Sequence, residues 1–191
     1  MTEIKWLPEA RAALVAIATL ARFDRSAATL FGDDPAQTAR SFRACALAFP
    51  LFLIVRFGNL MDVSPAPDQG WLILLVQSFE FVIEAVIFPL VALPLLRWYG
   101  REDRWCRLVT VYNWWSLGQT ILVTGVIMLH RLTGGAPFAV ELLLVAYLFC
   151  MVVEGFIIEI VLGAGFFTAA TLVLIDMSLT QVVSMIANAI I

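Results

Sequence analysis

Five apolar runs, about 40–61, 71–96, 108–130, 138–162 and 166–190, occupy most of the chain. Each reaches the ~20 residues that a helix needs to cross a bilayer. Backbone polar groups inside lipid must bond within their own segment, so each run reads as a spanning helix. Short links rich in Pro and Gly join them: DVSPAPDQG at 62–70, RWYGREDRWCR at 97–107, HRLTGGAP at 130–137 and GAG at 163–165. Such links make turns. With 62% hydrophobic and 14% charged residues, the composition departs from a soluble domain, which is nearer half apolar and a quarter charged. No polar stretch is long enough to enclose a second, soluble core. The expected fold is therefore all-α: a polytopic five-transmembrane-helix bundle over 35–191, preceded by an N-terminal segment over 1–34.

That N-terminal segment is expected to hold an amphipathic interfacial helix. Its apolar core between Arg11 and Arg22 is about ten residues, half of what a span requires. Leu7, Leu14, Ile17 and Leu20 make a partial stripe beside Trp6, which suits a helix in the membrane interface or packed under the bundle. Glu3 and Glu9 stand where a secretory signal would carry basic residues. The stretch FGDDPAQ at 31–37 offers a helix start, with Asp34 as N-cap and Pro35 at the first helical position.

Charge placement orients the bundle. Lys5, Arg11, Arg22, Arg25, Arg40 and Arg43 precede the first run, and Arg97, Arg101, Arg104 and Arg107 lie between the second and third. Ten basic residues thus share one side, which the positive-inside rule assigns to the cytoplasm; only Arg56 and Arg131 lie toward the other. The N-terminus is expected inside and the C-terminus outside, in a bacterial-type inner membrane. Trp98, Tyr99, Trp105, Tyr112, Trp114 and Trp115 read as an aromatic belt at the cytoplasmic border. With the four loop arginines, Trp105 is a candidate lipid-headgroup anchor.

The second run carries Gln77, Glu80 and Glu84, spaced i, i+3, i+7, on one face of a helix. That stripe cannot face lipid, where a charge at mid-bilayer costs at least ~2.5–3.5 kcal/mol. Counting ~1.5 Å of rise per residue puts Glu84, Gln119, Glu154 and Asp176 at similar depth, and Arg56 level with Glu80. The expectation is a mid-membrane polar layer of Glu80, Glu84, Gln119, Glu154, Asp176 and Arg56, with Arg56 paired to Glu80. Acids outnumber bases there, so the excess carboxyls must be protonated, hydrated or neutralised by a cation. Three readings compete: hydrogen-bonded glue between helices, a proton or cation path, or a contact surface for another membrane protein. Pro89 and Pro94 follow these acids and free the carbonyls of Ala85 and Leu90, which permits a kink.

No catalytic, cofactor or metal site is expected. His130 is the one histidine and reads as a surface or capping residue at the outer end of the third run. Cys45, Cys106 and Cys150 lie in separate segments without metal-ligand spacing. There is no H-E-x-x-H, G-x-S-x-G or phosphate-binding glycine loop. Glu154 and Glu159 lie about 140° apart around a helix, and the acids of FGDD suit a helix start better than a metal. Nothing supports nucleic-acid binding.

The stretch LLRWYGREDRWCRLVTVYNWWSLGQ (95–119) resembles the link between second and third spans of bacterial Yip-domain proteins. ARFDRSAATLFGDDPAQTARSFRACALAFPLF (21–52) is similar to bacterial inner-membrane proteins of comparable length. The acidic Asp-Leu-x-Gly-Pro motif of eukaryotic Yip members does not occur here. The resemblance implies five spans, an inner-membrane home and no particular activity. The leading functional expectation is a non-enzymatic scaffold or accessory subunit, whose partners are the bilayer and another membrane protein or a second copy. The alternative is a small proton- or cation-coupled permeation protein built on the carboxylate layer.

Overall fold

The computed structural model describes residues 7–61 and 70–191, and every regular element within them is helical. A short helix, α1 (Leu7–Leu20), and a 3-10 turn (Arg25–Leu30) precede five long helices. These are α2 (Pro35–Met61), α3 (Gly70–Trp98), α4 (Trp105–Leu132), α5 (Pro137–Leu162) and α6 (Phe166–Ile190). Residues 62–69 of the first link, and Glu3, Lys5 and Trp6, lie outside the described residues.

The helix ends follow local chemistry. Asp34 caps α2: its carboxylate accepts the N–H groups of Ala36 at 3.0 Å and Gln37 at 3.2 Å, which have no partner inside the helix. Helix α2 therefore begins at Pro35, ahead of the apolar run. Helix α5 stops at Gly163, whose φ of +59° is left-handed, a conformation that suits glycine. Helix α3 runs unbroken through Pro89 and Pro94. The Trp105 indole N–H donates to the Pro89 carbonyl at 2.8 Å, a bond from outside the helix beside the turn that Pro94 loosens.

Four helices, α2 (over 35–57), α3, α5 and α6, are long and apolar enough to cross a membrane, so the chain is a membrane-embedded α-helical protein. Helix α4 is as long as these but misses that standard, because Asn113, Ser116, Gln119, Thr120 and Thr124 dilute its apolar residues. Its neighbours explain this composition. Helix α4 packs on α2 and α5, α5 on α6, α6 on α3, and α3 on α2 and α4, which closes a ring. Side chains such as Leu74, Phe79 and Val82 on α3, and Leu144, Val145 and Val152 on α5, stay exposed on its outside. These are the faces a bilayer would cover.

The ring is filled unevenly. The main apolar core lies toward the basic end, the end that carries Arg97 and Arg104. There Phe88, Leu96, Leu108, Ile157, Leu162 and Leu172 are each at most 1% exposed. Helices α2 and α4 run parallel there and approach closely over Ser41, Ala44 and Ala48, small residues that let backbones meet. Polar groups bridge the two helices: the Thr38 hydroxyl donates to the Cys106 carbonyl at 3.0 Å, and Asn113 Nδ2 donates to Ser41 Oγ at 2.8 Å.

Helix α1 packs against the bundle. Its buried face is Ala10, Ala13, Ala16, Ile17 and Leu20, while Leu14 and Val15 are exposed. It lies on the flank of α4, where Ile17 packs on Gly118, about 20 Å along that helix from Trp105. A β-carbon at Gly118 would sit 3.0 Å from Ile17 Cγ2, so the bare glycine sets how closely α1 approaches. Away from its buried face Arg11 is exposed and Glu9 pairs with Arg40 at 3.1 Å. The chain turns back at Phe23, whose φ is +61°. Its ring stands edge-on to Phe149 and Phe156, contacts that offset the ~1–2 kcal/mol cost of a left-handed side-chain residue. Arg25 then pairs with Glu159 at 2.8 Å. Next to it, hydrogen bonds from the Ser26 hydroxyl and N–H hold the exposed Asp24 carboxyl below its usual range.

Candidate functional site

Within the ring, away from the apolar core, lies a cavity of about 880 Å³. All five long helices contribute to its wall. Glu84 of α3 and Asp176 of α6 stand toward the core; Arg56 of α2 and His130 and Arg131 of α4 stand toward the α4–α5 turn. Gly134 and Gly135, both with positive φ, fold that turn back so that the Gly135 N–H donates to the His130 carbonyl at 2.9 Å. This tight reversal leaves the His130 ring against the cavity.

Of the six residues expected to form a polar layer, Arg56, Glu84, Gln119 and Asp176 line this one space. Glu80 sits just behind Arg56: it is 2% exposed and forms an ion pair with the guanidinium, which also donates to Ser184 Oγ at 3.0 Å. Glu154 lies behind Asp176, hydrogen-bonded to it and 5% exposed. Asp176 in turn accepts the Tyr112 hydroxyl at 2.9 Å, and the Tyr112 ring packs on Phe88 with centroids 4.7 Å apart. This stack separates the cavity from the apolar core. Among the described residues no ion pair engages Glu84, Glu154 or Asp176. Glu84 Oε1, Glu154 Oε1 and Glu80 Oε2 are buried acceptors without a protein partner. Uncharged or charged, such groups are costly to enclose without hydrogen bonds.

The largest share of the wall comes from α4. Tyr112, Ser116, Gln119, Thr120, Val123 and Ile127 face the cavity, with Thr124 and His130 further along. Of these, Gln119 alone belongs to the polar layer expected from the sequence. The signal was present as a polar stripe at helical spacing, hidden because each residue is weakly polar alone. His130, half-buried in the last turn of α4, is part of the wall, and its Nδ1 is buried without a partner among the described residues.

At the basic end the anchor residues divide. Arg97 pairs with Glu102 at 3.3 Å and Arg104 with Asp103 at 3.1 Å, both on the surface. Exposed Arg101 lies near Gly163. Arg107 is largely buried, pairs with Asp33, and lines a second recess of about 430 Å³ with Arg25 and Glu159. Trp105 is half-buried, with its N–H donated to the Pro89 carbonyl. Trp114 and Trp115 are 4% and 3% exposed, and Tyr112 faces the cavity. Of the six aromatics expected at the basic border, Trp98 and Tyr99 are exposed. The three cysteines are free. Among the described residues no group of three or more His, Cys, Asp and Glu converges to hold a metal ion.

No family model matches this chain, and no characterised protein or solved structure is similar to it. The functional reading therefore rests on the geometry of the ring.

Proposed function

We propose that the protein is a small, non-enzymatic permeation protein of a bacterial-type inner membrane, which takes a proton or cation into an acid-floored cavity from the outer side. The observation that supports this is the cavity itself: one polar space running from Arg56 and His130 to Glu84 and Asp176. In this reading α4 also spans, sheltered from lipid by its neighbours, giving five spans with the basic end in the cytoplasm. The Yip-like link at 95–119 fits that topology. The packed core below Tyr112 closes the cytoplasmic side, and intramembrane acids facing a wet cavity are the usual marks of an ion path. A scaffold acting through helix contacts calls for its polar residues to face outward, whereas Glu80, Glu154 and Asp176 are buried inside the ring.

The test is flux into vesicles reconstituted with the full chain and loaded with a pH-sensitive dye. An imposed proton or monovalent-cation gradient should drive dye-reported flux that Glu84→Gln reduces at least tenfold, with the variant still monodisperse and helical. Wild-type vesicles no leakier than empty ones, under every gradient, would sink the reading.

A further inference from the structure

We infer that the cavity takes an organic ammonium ion carrying an apolar body, with the ammonium set at Glu84 and Asp176 and the body against Phe52 and Phe81. This rests on the cation-binding reading above and narrows it to one class of solute.

Volume is the first argument. About 880 Å³ falls in the ~300–1,000 Å³ range of pockets that hold drug-sized molecules, far more than one bare cation fills. Charge is the second. Four carboxylates, Glu80, Glu84, Glu154 and Asp176, gather in or directly behind the wall, and Arg56 is tied to Glu80. The remaining three lack an ion-pair partner among the described residues, and Glu154 keeps an unbonded oxygen at 5% exposure. These acids are spread over two sides of the floor, with no cluster close enough to cage a metal among the described residues. A bulky cation, which offers its charge at one end and needs no tight oxygen cage, fits that spread.

The wall supplies the third argument. Phe52 and Phe81 lie 5.1 Å apart between centroids, and Tyr112 and Tyr147 complete the aromatic part of the lining. Aromatic faces beside carboxylates are the surroundings that hold ammonium groups. The chain already shows this arrangement once: the Arg56 guanidinium lies 5.1 Å over the Phe52 ring while bonded to Glu80. A soluble cation entering the cavity meets the same pairing of ring and acid at Phe81 and Glu84, which are neighbours on α3.

The experiment uses the full chain in lipid nanodiscs, titrated with benzyltrimethylammonium, benzylamine, benzyl alcohol, benzoate, sodium and potassium. Thermal unfolding and calorimetry give the readout. Both benzylic cations should bind saturably and raise the melting temperature, while benzyl alcohol and benzoate should not. Glu84→Gln should weaken cation binding at least tenfold and Phe52→Leu several-fold. Asp176→Asn should act like Glu84→Gln. If it fails to fold, having lost its bonds to Tyr112 and Glu154, Glu84→Gln carries the test, since Glu84 accepts no hydrogen bond from the described residues. Binding of sodium or potassium that depends on Glu84, without binding of either benzylic cation, overturns this inference and leaves the cation cavity standing. Equal binding of benzyl alcohol also overturns it, since the pocket would then select apolar bodies alone. Should no cation bind and the vesicles stay silent, both readings fall.

Discussion

Removing one member of the Arg56–Glu80 pair strands the other charge beside Ser184. Glu80 is 2% exposed, so an unpaired carboxylate there keeps little water. Arg56→Leu or Glu80→Leu alone should each cost about 3 kcal/mol, the usual penalty for orphaning a buried charge. The double variant should recover most of that loss. Reversible unfolding in mixed micelles measures the cycle; strictly additive losses would show that the two side chains do not depend on each other. The pair was legible from the sequence because both residues fall at the same depth on adjacent runs. The unpaired state of Glu84 was not legible, since depth says nothing about which side of a helix a neighbour occupies. His130 and Tyr112 were missed for the same reason: their roles depend on a wall formed by five separate helices.

Among the elements, α3 depends on help from α4. Pro89 and Pro94 each remove a backbone donor, yet the helix is continuous because packing and the Trp105–Pro89 bond hold its last turns. Trp105→Phe keeps most of the packing and removes only the N–H. It should cost about 1 kcal/mol and speed amide exchange over residues 90–97 more than elsewhere in α3. Unchanged exchange there would mean that apolar packing alone steadies the prolines. Helix α4 shows the opposite dependence. Its polar stripe keeps it short of the apolar standard that the other four long helices meet, and α1, α2, α3 and α5 pack around its buried face. The alanine face of α1 and the bare surface at Gly118 are what bring that cover close.

For the whole molecule, the basic asymmetry and the five long helices together set a direction. If α4 crosses, the N-terminus lies inside and the C-terminus outside; if it does not, the two termini share a side. A reporter fused after Ile191 that is active only in the cytoplasm should stay silent, and one active only outside should give signal. The reverse pattern would leave four spans, and would place the α4–α5 turn and its His130 on the wrong side for a cavity fed from outside.

Helix type, some helix ends and the inward sense of Gln77, Glu80 and Glu84 were determined by sequence alone, because apolar run length, capping residues and the cost of charge in lipid act locally. The start of α2 at Asp34 and the stop of α5 at Gly163 are of this kind. Only the tertiary structure decided that α1 lies along α4 and that Trp105 braces a proline. It alone also decided that Glu84 and Asp176 face a cavity while Glu80 and Glu154 lie behind its wall. Each of these depends on how the helices are ordered around the ring. That order is set by the fit of small residues at the contacts, such as Ser41, Ala44, Ala48 and Gly118, and no periodicity within a single run reports which partner those surfaces will meet.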